Sequence, residues 1–200
     1  MAGLSQARRA VSVCFTEPIV RVLARTPITP NSLTWFGFAL SIGAAALIAT
    51  GHLIIAGVIV LFGGLFDMLD GALARRTKRV TLFGSILDST LDRLSEGALL
   101  LGILVLFSSE GSAIGVLLVG IVLITSMLVS YIRAKAESLG IECLVGVFTR
   151  PERVIVLALG LLINQMEIAL WIIAGFSFIT VCQRLFYVWR QTKNKKAEEE

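Results

Sequence analysis

The sequence predicts an all-α integral membrane protein: six transmembrane helices preceded by an amphipathic helix lying in the membrane interface. Three observations predict it. Of the 200 residues, 56% are hydrophobic and the mean hydropathy is +0.86, far from a soluble protein's balance. Apolar runs long enough to span a bilayer recur along the chain, separated by short polar turns. The 18 Lys and Arg residues fall at one end of these runs and give a net charge of +4. Such a charge can serve nucleic acid, but this placement signals membrane orientation and fits attraction to anionic lipid and phosphorylated substrates. No nucleic-acid partner is expected.

Residues 1–26 form an N-terminal juxtamembrane region. Within it Arg8, Arg9, Arg21 and Arg25 are mixed with Val11, Phe15, Ile19 and Leu23 and broken at Pro18, which predicts the interfacial helix. Met1 to Arg9 is not followed closely by an apolar run or a small-residue cleavage site, so no cleaved signal peptide is expected. Pro27 and Pro30 punctuate a turn, and Asn31 or Ser32 can cap the first span, about 33–50. Its small residues, among them Gly37, Gly43 and Ala45, permit close helix packing. Gly51 and His52 turn the chain; this single histidine lies at the end opposite the acids and is not expected to be a ligand. The second, third and fourth spans cover about 54–75, 82–107 and 113–136. A polar stretch leads to a fifth span with Pro151 in its first turn, then a sixth at about 168–187. Residues 191–200 read as a charged cytoplasmic tail, a frayed and solvated helix end. Cys14, Cys143 and Cys182 are far apart, so neither a disulfide framework nor a zinc site follows. Basic residues fill alternate connections, which places both termini in the cytoplasm.

The chemistry is concentrated in residues 67–92. Asp67 and Asp70 are three apart and Asp88 and Asp92 four apart, so each pair shares a helical face. Gly84, Asp88 and Asp92 repeat every four residues, about 6 Å per step along the axis. A carboxylate near the centre of a membrane helix costs roughly 2.5–3.5 kcal/mol, less towards the interface, so four need compensation. The short basic turn at 76–83 should return the two helices antiparallel and bring both pairs to one level. Four converging carboxylates cannot all stay ionised without cations, and hard ions such as Mg²⁺ or Mn²⁺ suit oxygen ligands. Gly71 and Ala74 leave room for a ligand beside the backbone. Snorkelling to water, or pairing with Arg75, Arg76 and Lys78, explains one such acid better than four at helical spacing.

The pattern D-x-x-D-G-x-x-A-R-x8-G-x3-D-x3-D resembles the signature of the CDP-alcohol phosphotransferases. That resemblance implies an enzyme moving a phosphatidyl or archaetidyl group from a CDP-linked lipid to an alcohol. It implies two divalent ions held by Asp67, Asp70 and Asp88, with Asp92 completing the site and acting as general base. Gly71, Ala74 and Arg75 would receive the CDP-lipid. Pro30, Asn31 and Thr34 look like the family's first-span entry, making Asn31 either a cap or a substrate contact.

A second constellation is basic: Arg133, Lys135, Arg150, Arg153 and Arg184. Singly these are ordinary positive-inside charges; together they can line a phosphate pocket, because guanidinium groups grip phosphate bidentately. The run S-Y-I-R-A-K-A-E, the later R-P-E-R and the Q-R of the last span resemble the phosphatidylinositol-phosphate synthase branch and its archaeal relatives. This implies that Arg133, Arg153 and Arg184 bind the phosphate of myo-inositol 1-phosphate. The resemblance covers about 27–190. The expected partners are CDP-diacylglycerol or a CDP-archaeol-type lipid, inositol phosphate, membrane lipids and a second copy in a homodimer. The expected location is the plasma membrane, with the site facing the cytoplasm.

Three rivals stand beside this reading. Glycerol phosphate also suits a basic pocket, as in phosphatidylglycerol-phosphate synthases. An intramembrane prenyltransferase uses Asp-rich metal sites, but its N-x-x-x-D arrangement is absent. A cation transporter needs intramembrane acids, yet these cluster at one interface and no broken repeat is visible.

Overall fold

The computed structural model describes residues 17–199, with side chains to residue 193. All regular structure among them is helical. Helix α1 covers 17–23, followed by α2 (Pro30–Ala49), α3 (Leu53–Arg76), α4 (Leu82–Ser109), α5 (Ala113–Ser138), α6 (Arg150–Leu162) and α7 (Met166–Glu199). The expected interfacial helix lies partly outside the described residues. Its described end packs Val20 against Leu33, Leu69 and Leu73, while Glu17 pairs with Arg76 at 3.2 Å. The chain is thereby tied to the basic end of α3.

Helices α2, α3, α5 and α7 (over Met166–Lys193) are long and apolar enough to cross a membrane. Helix α4 is 28 residues long but carries Asp88, Asp92, Arg93 and Glu96 between its first turns and its middle. Helix α6 has 13 residues, about 20 Å, short of a hydrocarbon core of about 30 Å. The last helix runs on well past the expected end of the sixth span, to Glu199.

Six helices, α2 to α7, alternate in direction. Gly37 of α2 faces Asp67 and Gly63 of α3, and Asn31 and Ala45 of α2 meet Gly84 and Gly102 of α4. Thus α2 and α4 run parallel, with α3 antiparallel to both. A Cβ on Gly102 would lie 2.5 Å from the Ala45 carbonyl oxygen, so only glycine permits this crossing. Gly115 of α5 packs on Phe107 of α4, and Gly160 of α6 on Ala169 of α7, closing two more antiparallel pairs. The main core joins Ile48, Val60, Leu100, Leu118, Leu161 and Leu170 from all six helices. Outward faces bear exposed Phe62, Leu117, Ile124 and Trp171, as lipid-facing helices should.

Two local expectations change. The cap of α2 is Thr29, whose Oγ1 accepts from the Ser32 amide at 3.2 Å, rather than Asn31 or Ser32. Pro30 lacks an N–H and holds a helical φ, so it takes the first helical position and leaves the cap to the residue before it. The acid-bearing helices also make little direct contact with each other; α2 packs against both and separates them.

Candidate active site

The four aspartates are brought to one end of the bundle by α2, α3, α4 and α6. Asp70 is buried at 4% exposure; its Oδ2 accepts from Thr34 Oγ1 at 2.7 Å, and its Oδ1 accepts from the Gly71 amide. Asp67 lies over Gly37, where a Cβ would stand 3.1 Å from its Oδ1. Arg150, first residue of α6, reaches between the two acid helices. Its Nη2 lies 2.8 Å from Asp67 Oδ2 and its Nη1 2.9 Å from Asp92 Oδ1. Asp88 has no hydrogen bond or ion pair among the described residues, but it acts electrostatically on Asp70 and Asp92, and Asp67 acts on it. Both pairs therefore reach one level, as the spacing predicts, with a guanidinium between them.

The two glycines on the acid helices have different uses. A Cβ on Gly84 would sit 2.8 Å from Thr81 Oγ1 and 3.3 Å from Asn31 Oδ1. Its absence lets Thr81 cap α4 by accepting from the Gly84 amide at 3.0 Å and lets Asn31 close over the same turn. Gly71 leaves space under the Arg75 guanidinium, which would lie 3.4 Å from a Cβ there. Gly71, Ala74 and Arg75 thus make a small-residue shelf with a cation above it, beside Asp70.

The donor set suits a hard divalent cation: four carboxylates, no competing sulfur or imidazole, and a positive group already seated between two of them. Among the described residues no three of them converge tightly enough to grip one ion as they stand. Mutual repulsion and the intervening Arg150 both keep them apart.

The basic residues are neighbours with separate partners. Arg153 is 2% exposed and makes a bidentate pair with Glu96 of α4, Nε to Oε1 at 2.6 Å and Nη2 to Oε2 at 2.8 Å. Arg184 is buried and donates to the carbonyls of Val129 and Val145, the latter at 3.0 Å. Arg133 is half exposed and pairs with Glu137 at 2.8 Å. Arg184 nevertheless lies within electrostatic range of both Arg133 and Arg153. Two guanidinium nitrogens, Arg150 Nε and Arg153 Nη1, are buried with no hydrogen-bond partner.

The 139–149 connection is pinned to α7. Besides Arg184, Thr180 accepts from the Phe148 amide at 3.1 Å and Gln183 from the Val147 amide at 3.2 Å. Gly146, at φ 139°, permits the close turn against Thr180 and Arg184. This connection explains the shortness of α6. Helix α3 continues nine residues beyond Asp67, about 13 Å, whereas α6 starts level with Asp67 because the connection fills the rim above it. At its other end α6 lays Leu161 and Leu162 on Gly57.

Three contributions escape the sequence reading. Thr34 appears there only as an entry residue, Arg150 only within a general basic set, and Glu96 not at all. Glu96 had a signal: it continues the four-residue repeat of Gly84, Asp88 and Asp92.

Acids, a small-residue shelf and basic groups gathered at one end of an apolar bundle are what a membrane-embedded phosphotransferase requires. The chain belongs to the CDP-alcohol phosphatidyltransferase family, which it matches over residues 27–183. It is 40% identical over 185 residues to the archaetidylinositol phosphate synthase of Methanothermobacter thermautotrophicus, covering 90% of this chain and 91% of the relative. It is 39% identical over 197 residues to the phosphatidylinositol phosphate synthase of Mycobacteroides abscessus, covering 94% and 89%. Two crystal structures of the Mycobacterium tuberculosis phosphatidylinositol phosphate synthase are similar. The one with CDP-DAG bound has a TM-score of 0.78 at 38% identity, over 87% of this chain and 93% of that one. The one with manganese and citrate has a TM-score of 0.80 at 37% identity, over 87% and 88%. Family membership sets aside the prenyltransferase and transporter readings.

Proposed function

We propose that this enzyme transfers a phosphatidyl or archaetidyl group from a CDP-linked lipid to a hydroxyl of myo-inositol 1-phosphate, releasing CMP. The observation that carries the reading is the gathering of the four aspartates around the start of α6, where Arg150 joins Asp67 to Asp92 and Arg153, one turn on, lies within electrostatic range of Arg184. The named relatives at about 40% identity support the same acceptor.

Asp67, Asp70, Asp88 and Asp92 would hold two divalent ions. When bound, Mg²⁺ or Mn²⁺ supplies positive charge against the pyrophosphate and the departing CMP. Gly71 and Ala74 accept the nucleotide, Arg75 stands near its phosphates, and Asn31 borders the same cleft. Asp92 takes the proton of the attacking hydroxyl as the new phosphorus–oxygen bond forms and the bond to CMP breaks. The acceptor phosphate is held by Arg133, Arg153 and Arg184. Arg153 Nη1, buried and unpartnered beside its pair with Glu96, is a donor awaiting an acceptor of this kind.

All six helices from α2 to α7 cross the bilayer in this reading, the 13-residue α6 completed by the 139–149 connection on its rim side, with α1 at the interface. Their alternating direction and the basic connections at the acid end support this, with both termini and the site on the cytoplasmic side of the plasma membrane. Residues 1–26, 27–190 and 191–200 then serve as anchor, catalytic domain and tail. Reporter fusions after Glu110 and at the C-terminus should report opposite sides; the same side for both would sink this topology.

The function is tested by following CMP release from purified protein with CDP-diacylglycerol and Mn²⁺. Release should require both the metal and inositol 1-phosphate. Equal turnover with free inositol, serine or glycerol 3-phosphate would refute the acceptor assignment.

A further inference from the structure

Arg150 stands where the metal reading places positive charge, and this gives it a role beyond the signature residues. Its two terminal nitrogens are divided between carboxylates of different helices, Asp67 on α3 and Asp92 on α4. These two helices barely touch, so the guanidinium is a direct link between their acid-bearing ends. Three residues on, Arg153 is fixed to Glu96 by two short bonds in the core. That pair sets the depth and rotation of the first turn of α6, and the Thr149–Glu152 contact at 2.7 Å holds the same turn from outside. Arg150 is therefore aimed by its own helix and does not drift into the acids by chance.

We propose that Arg150 is a built-in counter-ion that competes with divalent metal for Asp67 and Asp92. This rests on the reading that these aspartates bind metal. In the metal-free protein Arg150 keeps the two carboxylates compensated and separated. Loading divalent ions requires Asp67 and Asp92 to exchange a guanidinium for metal, so Arg150 must leave at least one of them. A guanidinium suits this exchange: it spans two carboxylates bidentately, which a lysine ammonium, as a point charge, does not. Metal affinity is thus set below what four bare carboxylates would give. Occupancy then depends on anything that draws Arg150 away, such as an anionic ligand offered to its unpartnered Nε.

The test is Mn²⁺ binding by purified protein in lipid nanodiscs without nucleotide or acceptor, read from the electron paramagnetic resonance of free Mn²⁺. Arg150→Lys keeps the charge and loses the bridge, so it should bind Mn²⁺ roughly tenfold more tightly than wild type. Arg150→Gln should bind at least as tightly as Arg150→Lys. Arg93→Gln removes a charge that acts on Asp88 but bridges nothing, and should change affinity by less than about threefold. Affinity in Arg150→Lys equal to or weaker than wild type, while wild type binds, overturns the competition and leaves the metal reading intact. Absence of Mn²⁺ binding in every form overturns both. A second measurement needs no variant: phenylglyoxal labelling of Arg150 in wild type, quantified by peptide mass spectrometry. Labelling should rise several-fold when Mn²⁺ is added; unchanged or reduced labelling overturns the proposal.

Discussion

Two arginines on the first turn of α6 meet acids one turn apart on α4, with opposite results. Arg153 and Glu96 are both buried and matched one to one through two bonds. Arg150 and its two carboxylates are each about a quarter exposed, and Asp88 acts on the same guanidinium, so the acids outnumber it. The inner pair is matched in charge and holds α4 to α6, leaving only Arg153 Nη1 free to donate to a ligand. The outer cluster carries surplus negative charge and remains open to exchange. A step of one helical turn thus separates a structural device from a chemical one, and the charge ratio decides which is which.

The largest effects should come from the outer cluster. Asp67→Asn, Asp70→Asn and Asp88→Asn should each reduce CMP release to background while the protein still inserts and purifies. Asp92→Asn should lose about 10²–10⁴-fold, the range for a positioned base, yet keep more donor binding than the other three. Near-normal turnover in any of the four would erase the distinction between the clusters.

Breaking the inner pair should instead appear as stability. Glu96→Ala leaves a buried, unpaired Arg153 and should cost about 3–5 kcal/mol, measured by thermal unfolding in detergent. The double variant Glu96→Met with Arg153→Met should recover most of that loss, because a matched apolar pair avoids desolvating charge. Failure of the double variant to recover would mean that the pair does more than join α4 to α6.

Next come the acceptor-side groups. Arg133→Ala and Arg184→Ala should lower kcat/KM for inositol phosphate by roughly ten- to a hundredfold, with donor KM little changed. Arg153→Ala is a poorer probe, since it orphans Glu96 as well. An altered donor KM would place these arginines on the wrong substrate. The smallest effect belongs to Thr34→Val, which removes one hydrogen bond to buried Asp70 and should cost about 1 kcal/mol in stability.

Much of this was legible from spacing alone. Six helices, their order and the common level of the aspartates follow from apolar periodicity and from acids at helical intervals. What was not legible depends on which helix lies beside which. The turn at 77–81 suggests that α3 and α4 pack together, but small residues on α2 let that helix slide between them, bringing Thr34 to Asp70. The two arginines of R-P-E-R look equivalent, because position on a helix turn does not tell which acid each will meet. Only the packing of α6 assigns Arg153 to Glu96 and Arg150 to the aspartates. The short α6 was likewise hidden, since the rim-filling 139–149 segment is held by contacts to α7 more than thirty residues away.

The arrival of Arg150 from so far along the chain has a consequence for biogenesis. Ribosomal synthesis proceeds at about 5–20 residues per second, so about 3–12 s pass between completion of Asp92 and completion of Arg150. Throughout that interval the nascent chain holds all four aspartates in emerging helices without the guanidinium that later joins them. Until α6 is made, that charge must be sheltered by water, protons, metal or the translocation machinery. A chain halted at Ser109 has α2, α3 and α4 complete, with Thr34 on Asp70 and Arg93 near Asp88, but it lacks the guanidinium that joins Asp67 to Asp92.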